Sequence, residues 1–390
     1  MQLLDKRYDY IITGMGCAGL SLAVQLKKSG LAKGKKILMV DRVQKKQNDR
    51  TWCFWETAPG PFEEIVFRRW EQAWFHSSGY SSLLELSPYK YKMIRGIDFF
   101  NHCLEQLSSS PEFEIITADV QSVANSADGA MVMIDNTPVY GRYLFNSIVF
   151  EKPKLKPEDF YLLQHFKGWI IRSPHPFFNK DQATLMDFRT VQSEGSSFIY
   201  VMPFSKTEAL VEYTLFSKTL LEVEDYEVAL KNYIHNILGL QDYEILEKEF
   251  GVIPMTNFPF NRHSKNILNI GTAGGRTKAS SGYTFRFIQK DTADIINSLQ
   301  KYGHPFDLHA DASRFHWYDS VLLNILSGDE LKGEEVFTHL FSKNKVCEIL
   351  KFLDNETAVS TEMRILSTLP QWPFLKAGLE EGFKKLQRKF

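Results

Sequence analysis

The stretch with the most definite chemical meaning is Gly14-Met15-Gly16-Cys17-Ala18-Gly19, a G-x-G-x-x-G. The first glycine permits a tight turn, the second lets a backbone approach a pyrophosphate, and the third lets a helix pack close to a strand. A helix that starts here offers free N–H groups and a partial positive charge to phosphate. Asp41 stands 22 residues after Gly19, near the roughly 20 expected of a carboxylate that holds a ribose hydroxyl. An acid at that place disfavours a 2′-phosphate, so FAD or NAD fits better than NADP. The competing reading is a glycine-rich turn in an ordinary α/β unit.

Three further groups carry chemistry. Asp49-Arg50-Thr51-Trp52-Cys53-Phe54-Trp55-Glu56 crowds aromatic and charged types together, as the wall of a cofactor pocket or as an aromatic plug in a core. Gly271-Thr272-Ala273-Gly274-Gly275, entered from Asn266–Ile270 and followed by Gly282-Tyr283-Thr284-Phe285 and a helix, is a second strand–loop–helix elbow suited to phosphate or simply a turn. Two such elbows far apart are typical of FAD enzymes. Glu212 lies in Glu208-Ala209-Leu210-Val211-Glu212-Tyr213-Thr214, where alternation puts Glu208, Leu210, Glu212 and Thr214 on one face. Such a carboxylate is either exposed at an edge or turned into a cavity. An apolar cavity would raise its pKa and let it hold a proton near neutral pH.

The elements that would position these groups follow from periodicity. Tyr8–Thr13 and Lys36–Val40 read as buried parallel strands flanking a helix over 18–28, closed by Ser29-Gly30. Strands are expected within 59–86, a helix over 97–107, strands over 113–120 and 130–134, and a further parallel strand over 143–150. Pro153–Asp159 is a charged linker. From Trp169 to Phe216 the chain reads as β-rich, with strands over 182–190, 197–202 and 208–216, and Tyr226–Leu240 as an amphipathic helix. A helix over about 285–301 follows, and 304–390 is mostly helical. At its end Leu375, Leu379, Phe383, Leu386 and Phe390 recur at helical spacing among five Lys/Arg and two Glu, suiting either a membrane surface or a docked C-terminal helix.

The bulk properties bound the function. The chain has 390 residues, 44% of them hydrophobic, which suggests two domains or one large one with an insertion. A formal net charge of −1 gives no footprint for nucleic acid. Four scattered cysteines form no C-x-x-C, which argues against zinc or a disulfide framework and fits a reducing compartment. No run of 18 apolar residues is present to span a membrane. The abundance of Phe, Tyr and Trp suits a large aromatic core, a long apolar cavity or a membrane-facing surface.

Taken together, Gly14–Gly19, the Thr51-Trp52-Cys53-Phe54 element, Glu212-Tyr213-Thr214 and Gly271–Phe285 resemble the bacterial flavin-dependent lycopene cyclases over nearly the whole chain. Three places depart from that family's pattern. Tyr213 stands where an acid is usual, Ser281 precedes Gly282-Tyr283 where Thr is usual, and Thr272 replaces the Asp that many FAD enzymes carry after the second elbow's glycine. The resemblance implies an α/β fold with a Rossmann-type FAD-binding domain (1–150 plus about 250–305), an inserted β-rich substrate part (about 60–95 and 151–249) and a helical C-terminal part (306–390). It implies cyclisation of lycopene and monocyclic carotene ends to β-rings without net redox change. Glu212 would be the acid, and the final proton could go to the neighbourhood of Glu212, to a flavin oxygen or nitrogen, or to another carboxylate such as Glu56 or Asp187. Trp52, Phe54 or Trp55 could face the carbocation. Gly14, Gly16, Cys17, Ala18, Gly19, Asp41, Arg50, Thr51, Trp52, Gly271, Thr272, Gly275, Gly282 and Tyr283 would hold reduced FAD, with NAD(P)H as external reductant. No metal is implied. A cytoplasmic protein, peripheral on the inner face of the cell membrane, is expected. On the same scaffold an isoprenoid monooxygenase or geranylgeranyl-type reductase, or an idle carotenoid-binding flavoprotein, would share these motifs.

Overall fold

The computed structural model describes residues 6–310, 312–328 and 330–387, with side chains described to residue 384. The chain begins with β1 (Arg7–Thr13), α1 (Cys17–Lys28), β2 (Ile37–Asp41) and β3 (Thr51–Glu56). Next come β4 (Arg68–Trp70), β5 (Gln72–Ser77), β6 (Tyr80–Glu85), β7 (Lys90–Arg95), α2 (Gly96–Ser108), β8 (Phe113–Thr117), β9 (Val120–Ser126), β10 (Gly129–Ile134) and β11 (Thr137–Asn146). The middle carries β12 (Tyr161–Arg172), β13 (Gln182–Asp187), β14 (Ser196–Pro203), β15 (Glu208–Ser217), α3 (Val223–Asn232) and β16 (Glu244–Thr256). β17 (His263–Ser264), β18 (Ile267–Asn269), α4 (Phe285–Tyr302), α5 (Ser313–Ser327), α6 (Gly333–Lys343), α7 (Val346–Leu353), α8 (Val359–Ser367) and α9 (Gln371–Gln387) complete it.

An eight-stranded sheet runs β17-β18-β11-β1-β2-β8, with β10 and β9 branching from β11. β1 is parallel to both β2 and β11, and β18 is parallel to β11. Strands covered on both faces read as continuous apolar runs, as Ile37–Val40 does. α1 packs against α4 and α2, burying Leu22, Val24 and Leu26 with Ile295 and Phe100. The glycines of the first elbow are placed by geometry. Gly14 has φ +87°. A Cβ on Gly19 would overlap the Gly14 carbonyl oxygen, whereas one on Gly16 would meet open space. The third glycine therefore closes helix on strand, and the second leaves a gap.

A seven-stranded sheet has the order β16-β12-β15-β14-β13-β5-β6, antiparallel except for β5 beside β13. Strands from the first hundred residues thus complete a sheet built mainly from 161–256. One face, carrying Trp169, Val211 and Tyr213, packs on Tyr226 and Leu230 of α3. The other, carrying Phe198, Leu210 and Phe216, shares a core with Trp55, Trp70, Val321, Phe337 and Ile349, so helices α5 to α7 cover it. A three-stranded sheet, β3-β7-β4, completes the strands.

Several boundaries differ from the sequence reading. The strand expected over 143–150 ends at Asn146, whose side chain bonds Thr13, Asn269 and the backbone of Ile148, and Val149 and Phe150 are exposed. The helix expected over 226–240 runs from Val223 to Asn232 and continues as a π-helical turn, Tyr233–Leu238, before Gly239 at φ +77°. The strand expected over 182–190 ends at Asp187, and 113–120 divides into β8 and β9. The full extents of β12 and β16 went unread.

The two elbow glycines separate stability from ligand access. Gly19→Val should lower unfolding free energy by at least about 2 kcal/mol, because the overlap is with backbone that has no room to move. Gly16→Ala should stay within about 0.5 kcal/mol of wild type. Urea unfolding followed by circular dichroism measures both.

Candidate functional site

The two elbows meet. Gly271, at φ +58°, approaches α1 so closely that a Cβ there would lie 2.8 Å from the Ala18 Cβ. Ala18 and Gly271 are small because the two turns share one space. The start of α1 has Gly16 as its N-cap, no side-chain cap and no acid in its first turn, so its N–H groups stay free of protein carboxylates. Asp41 closes β2 and accepts the Met15 N–H at 2.6 Å. An uncapped helix start, a gap at Gly16 and a carboxylate at the second strand's end fit the pyrophosphate and ribose of a dinucleotide.

From this junction a cavity of about 310 Å³ leads to the seven-stranded sheet. Its walls include Arg50, Thr51 and Trp52 from the start of β3, Thr272 from the second elbow, and Gly282 and Tyr283 from the loop before α4. Glu212, with Leu210 on the same face of β15, forms its far wall. Gly282, at φ +70°, lets Gln164 of β12 sit where a Cβ would otherwise be, and the buried Gln164 Oε1 is left without a protein partner. The elbow sites, Asp41 and this cavity therefore bring together most of the residues read from the sequence as cofactor ligands. Cys17 is buried on α1, and burial pushes its thiol up to about 12. Gly275 is an exception: it packs on Phe260 and lines a separate cavity beyond the elbow.

Glu212 is turned into the cavity rather than out at an edge. Its Oε1 accepts the Thr214 hydroxyl at 3.1 Å. Burial is the main cause of a pKa raised well above the carboxyl range, with the adjacent Glu249 carboxyl adding to it. Around it stand Cys53, Tyr200 and Tyr283, whose groups burial also holds neutral; burial pushes the thiol well up and Tyr283 to about 12. Tyr213 is 3% exposed on the opposite face, against α3, so the residue that departs from the family pattern does not face the acid's cavity.

The other carboxylates stand elsewhere. Glu56 is buried in an ion-pair cluster with Lys92 at 2.8 Å and Arg286 at 3.2 Å, with Glu63 also on Lys92, and it lines a different, small cavity. Asp187 is fully buried; burial raises its pKa, but hydrogen bonds from Arg189 and from Tyr233 at 2.7 Å outweigh this and leave it below the usual range. Neither lines the Glu212 cavity. Among the aromatics, Trp52 does line it, whereas Phe54 stacks on Phe285 in the core at 4.4 Å. Trp55 lies behind Tyr283, edge-on at 4.5 Å.

A second cavity, of about 280 Å³, lies on the far side of Tyr200 and Tyr283, which line both. Its walls are mainly apolar, with Phe198, Phe216, Phe337, Leu340 and Leu350, and Trp317, Met363, Phe374 and Leu375 among the helices α5, α8 and α9, but they also carry the buried Lys278–Asp319 ion pair. Of the two readings of α9, the structure shows the docked helix. It docks on α5, burying Ala377 and Glu381, and still exposes Trp372, Leu375, Leu379 and Phe383 in one stripe. The Leu386 side chain and residues 388–390 lie outside the described residues. No described helix is long and apolar enough to cross a membrane.

Because Glu212 holds its proton more tightly folded than unfolded, the fold binds the extra proton above the ordinary carboxyl pKa. Stability from this group is therefore lost as pH rises towards the folded pKa. Glu212→Gln should flatten that decline and be the more stable protein at alkaline pH, by about 1–3 kcal/mol. Urea midpoints measured across pH 5–9 test the sign.

The comparisons agree with this geometry. A family model described as lycopene cyclase protein matches residues 9–379. Capsanthin/capsorubin synthase of Capsicum annuum is 25% identical over 301 residues, 72% of this chain and 58% of that protein. Neoxanthin synthase of Solanum tuberosum is 24% identical over 302 residues, 71% of this chain and 57% of its own length. The chain thus spans under three-fifths of those relatives. In fold it is similar to a geranylgeranyl bacteriochlorophyll reductase-like protein of Thermoplasma acidophilum (TM-score 0.64, 13% identity, 95% of this chain and 98% of that one). A Klebsiella pneumoniae HpxO variant complexed with FAD gives a TM-score of 0.58 at 14% identity over 93% of this chain and 100% of that one. The architecture is that of FAD-dependent flavoproteins, and the chain belongs to the lycopene cyclase family.

Proposed function

We propose that this protein is a lycopene β-cyclase that closes the linear ends of lycopene, through γ-carotene, to β-carotene. The observation that carries the reading is Glu212, an acid that burial keeps protonated, on the wall of a cavity that shares Tyr200 and Tyr283 with an apolar one. In that reading the Glu212 proton adds to C2 of the terminal C1=C2 bond and leaves a tertiary cation at C1. The C5=C6 bond attacks C1 and closes the ring, and loss of a proton from C6 removes the resulting charge at C5. Trp52, Tyr91, Tyr200 and Tyr283 line the acid's cavity and can turn π-faces to the cation. The apolar cavity takes the polyene and keeps water from the cation.

FAD would be held by the α1 N-terminus, Asp41, Thr51 and Thr272, and in its reduced form it would supply negative charge that stabilises the cation. NAD(P)H serves only to keep it reduced. The exposed stripe of α9, next to the mouth lined by Met363, Phe374 and Leu375, rests on the inner face of the cell membrane and takes carotene from it.

The test is conversion of lycopene in liposomes under anaerobic conditions, with FAD reduced by dithionite and no nicotinamide. Formation of γ- and then β-carotene is expected. No cyclised product, with stoichiometric NAD(P)H oxidation on another isoprenoid, would instead support a reductase or monooxygenase. Glu212→Gln should retain flavin and lose at least about 10³-fold in turnover, since proton transfer from a placed acid typically contributes that order. Wild-type turnover needs the protonated form, so it should fall as pH rises through the raised Glu212 pKa. Leu375→Glu with Leu379→Glu should reduce co-flotation with anionic phospholipid vesicles about tenfold or more while leaving the fold unchanged, because two exposed leucines that enter the lipid contribute over about 1.4 kcal/mol.

A further inference from the structure

β12 lies between β15 and β16, and its Gly168 is opposite Glu212 on one side and Glu249 on the other. Three residues in register across neighbouring strands point their side chains to the same face, with the outer Cα atoms roughly 10 Å apart. The central residue has no side chain. A Cβ on Gly168 would come within 2.9 Å of Glu249 Cγ and 3.2 Å of Glu249 Oε1. The Glu249 side chain therefore leans across the glycine towards Glu212, and each carboxyl acts on the other's hold on its proton.

Their outer oxygens are already held. Thr214 donates to Glu212 Oε1 at 3.1 Å, and Thr51 donates to Glu249 Oε2 at 2.9 Å. Glu249 Oε1 is buried and receives no N–H or hydroxyl donor from the protein. Two carboxylates cannot hydrogen-bond without a proton between them, so a neutral Glu212 is the donor that this oxygen lacks.

We infer that Glu249 is a positioning residue for the proposed acid: across Gly168 it shares one proton with Glu212, keeps that proton loaded at neutral pH and fixes the oxygen that carries it. The inference rests on the cyclase reading for its chemistry and on register and hydrogen bonding for its geometry. When the proton leaves for the alkene carbon, the pair carries two negative charges beside the new cation. That attraction exists in the transition state and not before it, which is the form of binding that raises turnover. The groups facing the pair are Thr51 and Cys53 of β3, Thr214 of β15, Tyr200 of β14 and Tyr283. Asp49 and Glu247 act on Glu249 from further off.

The direct test is infrared spectroscopy of the purified full-length holoprotein titrated from pH 5 to 9, without carotene. Wild type should show one protonated-carboxyl band that persists through neutral pH and is missing in Glu212→Gln. In Glu249→Gln the neighbouring charge is gone and an amide N–H can donate to ionised Glu212, so the band should disappear at least one pH unit lower. The alkaline limb of turnover should move with it, a loss of about tenfold above both limbs, with KM for lycopene unchanged within about twofold. Thr51→Val removes the donor that stabilises ionised Glu249, so its pair should take up a second proton at higher pH than wild type. This variant decides the matter even if Glu249→Gln does not fold. An infrared titration unchanged in both variants overturns the inference. Absence of cyclised product with the band behaving as described overturns the cyclase reading and leaves the shared proton standing.

Discussion

An acid can protonate an alkene near neutral pH only if it still holds its proton there, and water must be kept from it for that to be so. Much of the structure follows from this constraint at Glu212. The carboxyl sits on an inner strand of the seven-stranded sheet, where no edge exposes it to solvent. Neighbouring ionisable groups, Cys53, Tyr200 and Tyr283, are themselves held neutral by burial, so none offers a positive charge that would pull the proton away. Nearby cations are engaged with other carboxylates: Arg50, on the same cavity wall, with Asp49, Lys92 and Arg286 with Glu56, and Arg189 with Asp187. The pairs at Glu56 and Asp187 neutralise buried carboxylates that the cavity does not use. The ionised carboxylate of Asp187 and the neutral one of Glu212 differ by partner, not by depth.

The second constraint is a close approach. Ala18 and Gly271 let two phosphate-suited elbows share one space, and the cavity begins at that junction. Because α1 packs on α4, and α4 follows directly from Gly282-Tyr283-Thr284, the same packing that holds the elbows together sets the wall facing Glu212. The cofactor-suited end and the acid end of the cavity are thus positioned by one set of helix contacts. β5 and β6 extend the seven-stranded sheet from a part of the chain before the middle strands, which ties the two sheets by connections at several points.

What could be read from the sequence was local. β1, α1, β2 and both elbows fall within short windows, and their turns require glycine for reasons visible in the order of residues. Glu212 stood out because it interrupts an otherwise apolar strand. Glu249 and Gly168 did not stand out, although they belong to the same wall. Tyr161–Arg172 carries Gln164, His165, Lys167 and Gly168 in its interior, so it lacks the apolar pattern of a buried strand. Each polar residue has a reason that only the fold supplies: Gln164 lies against Gly282, His165 bonds Ser217 and Tyr226, and Lys167 pairs with Glu227. β16 is likewise disguised by Glu244, Glu247, Lys248 and Glu249. Register between strands distant in sequence is not encoded in any one window.

The division between the cavities also clarifies how the aromatic content is used. Phe54 is a core residue and Trp55 lines the apolar cavity, while the rings at the acid come from four separate places: Trp52 on β3, Tyr91 on β7, Tyr200 on β14 and Tyr283 after the second elbow. Tyr200 and Tyr283 have a polar tip and an apolar ring, and each faces two cavities of different character. On one side the wall is mixed and meets Glu212 and Arg50; on the other it is almost wholly hydrocarbon and opens among α8 and α9. A flexible polyene entering from the helices would meet mainly apolar surface until its end reached the tyrosines, with the Lys278–Asp319 ion pair set in the same wall. Burial that makes a carboxyl hold a proton and burial that makes a cavity accept hydrocarbon are one physical condition, and this arrangement satisfies both with a single wall.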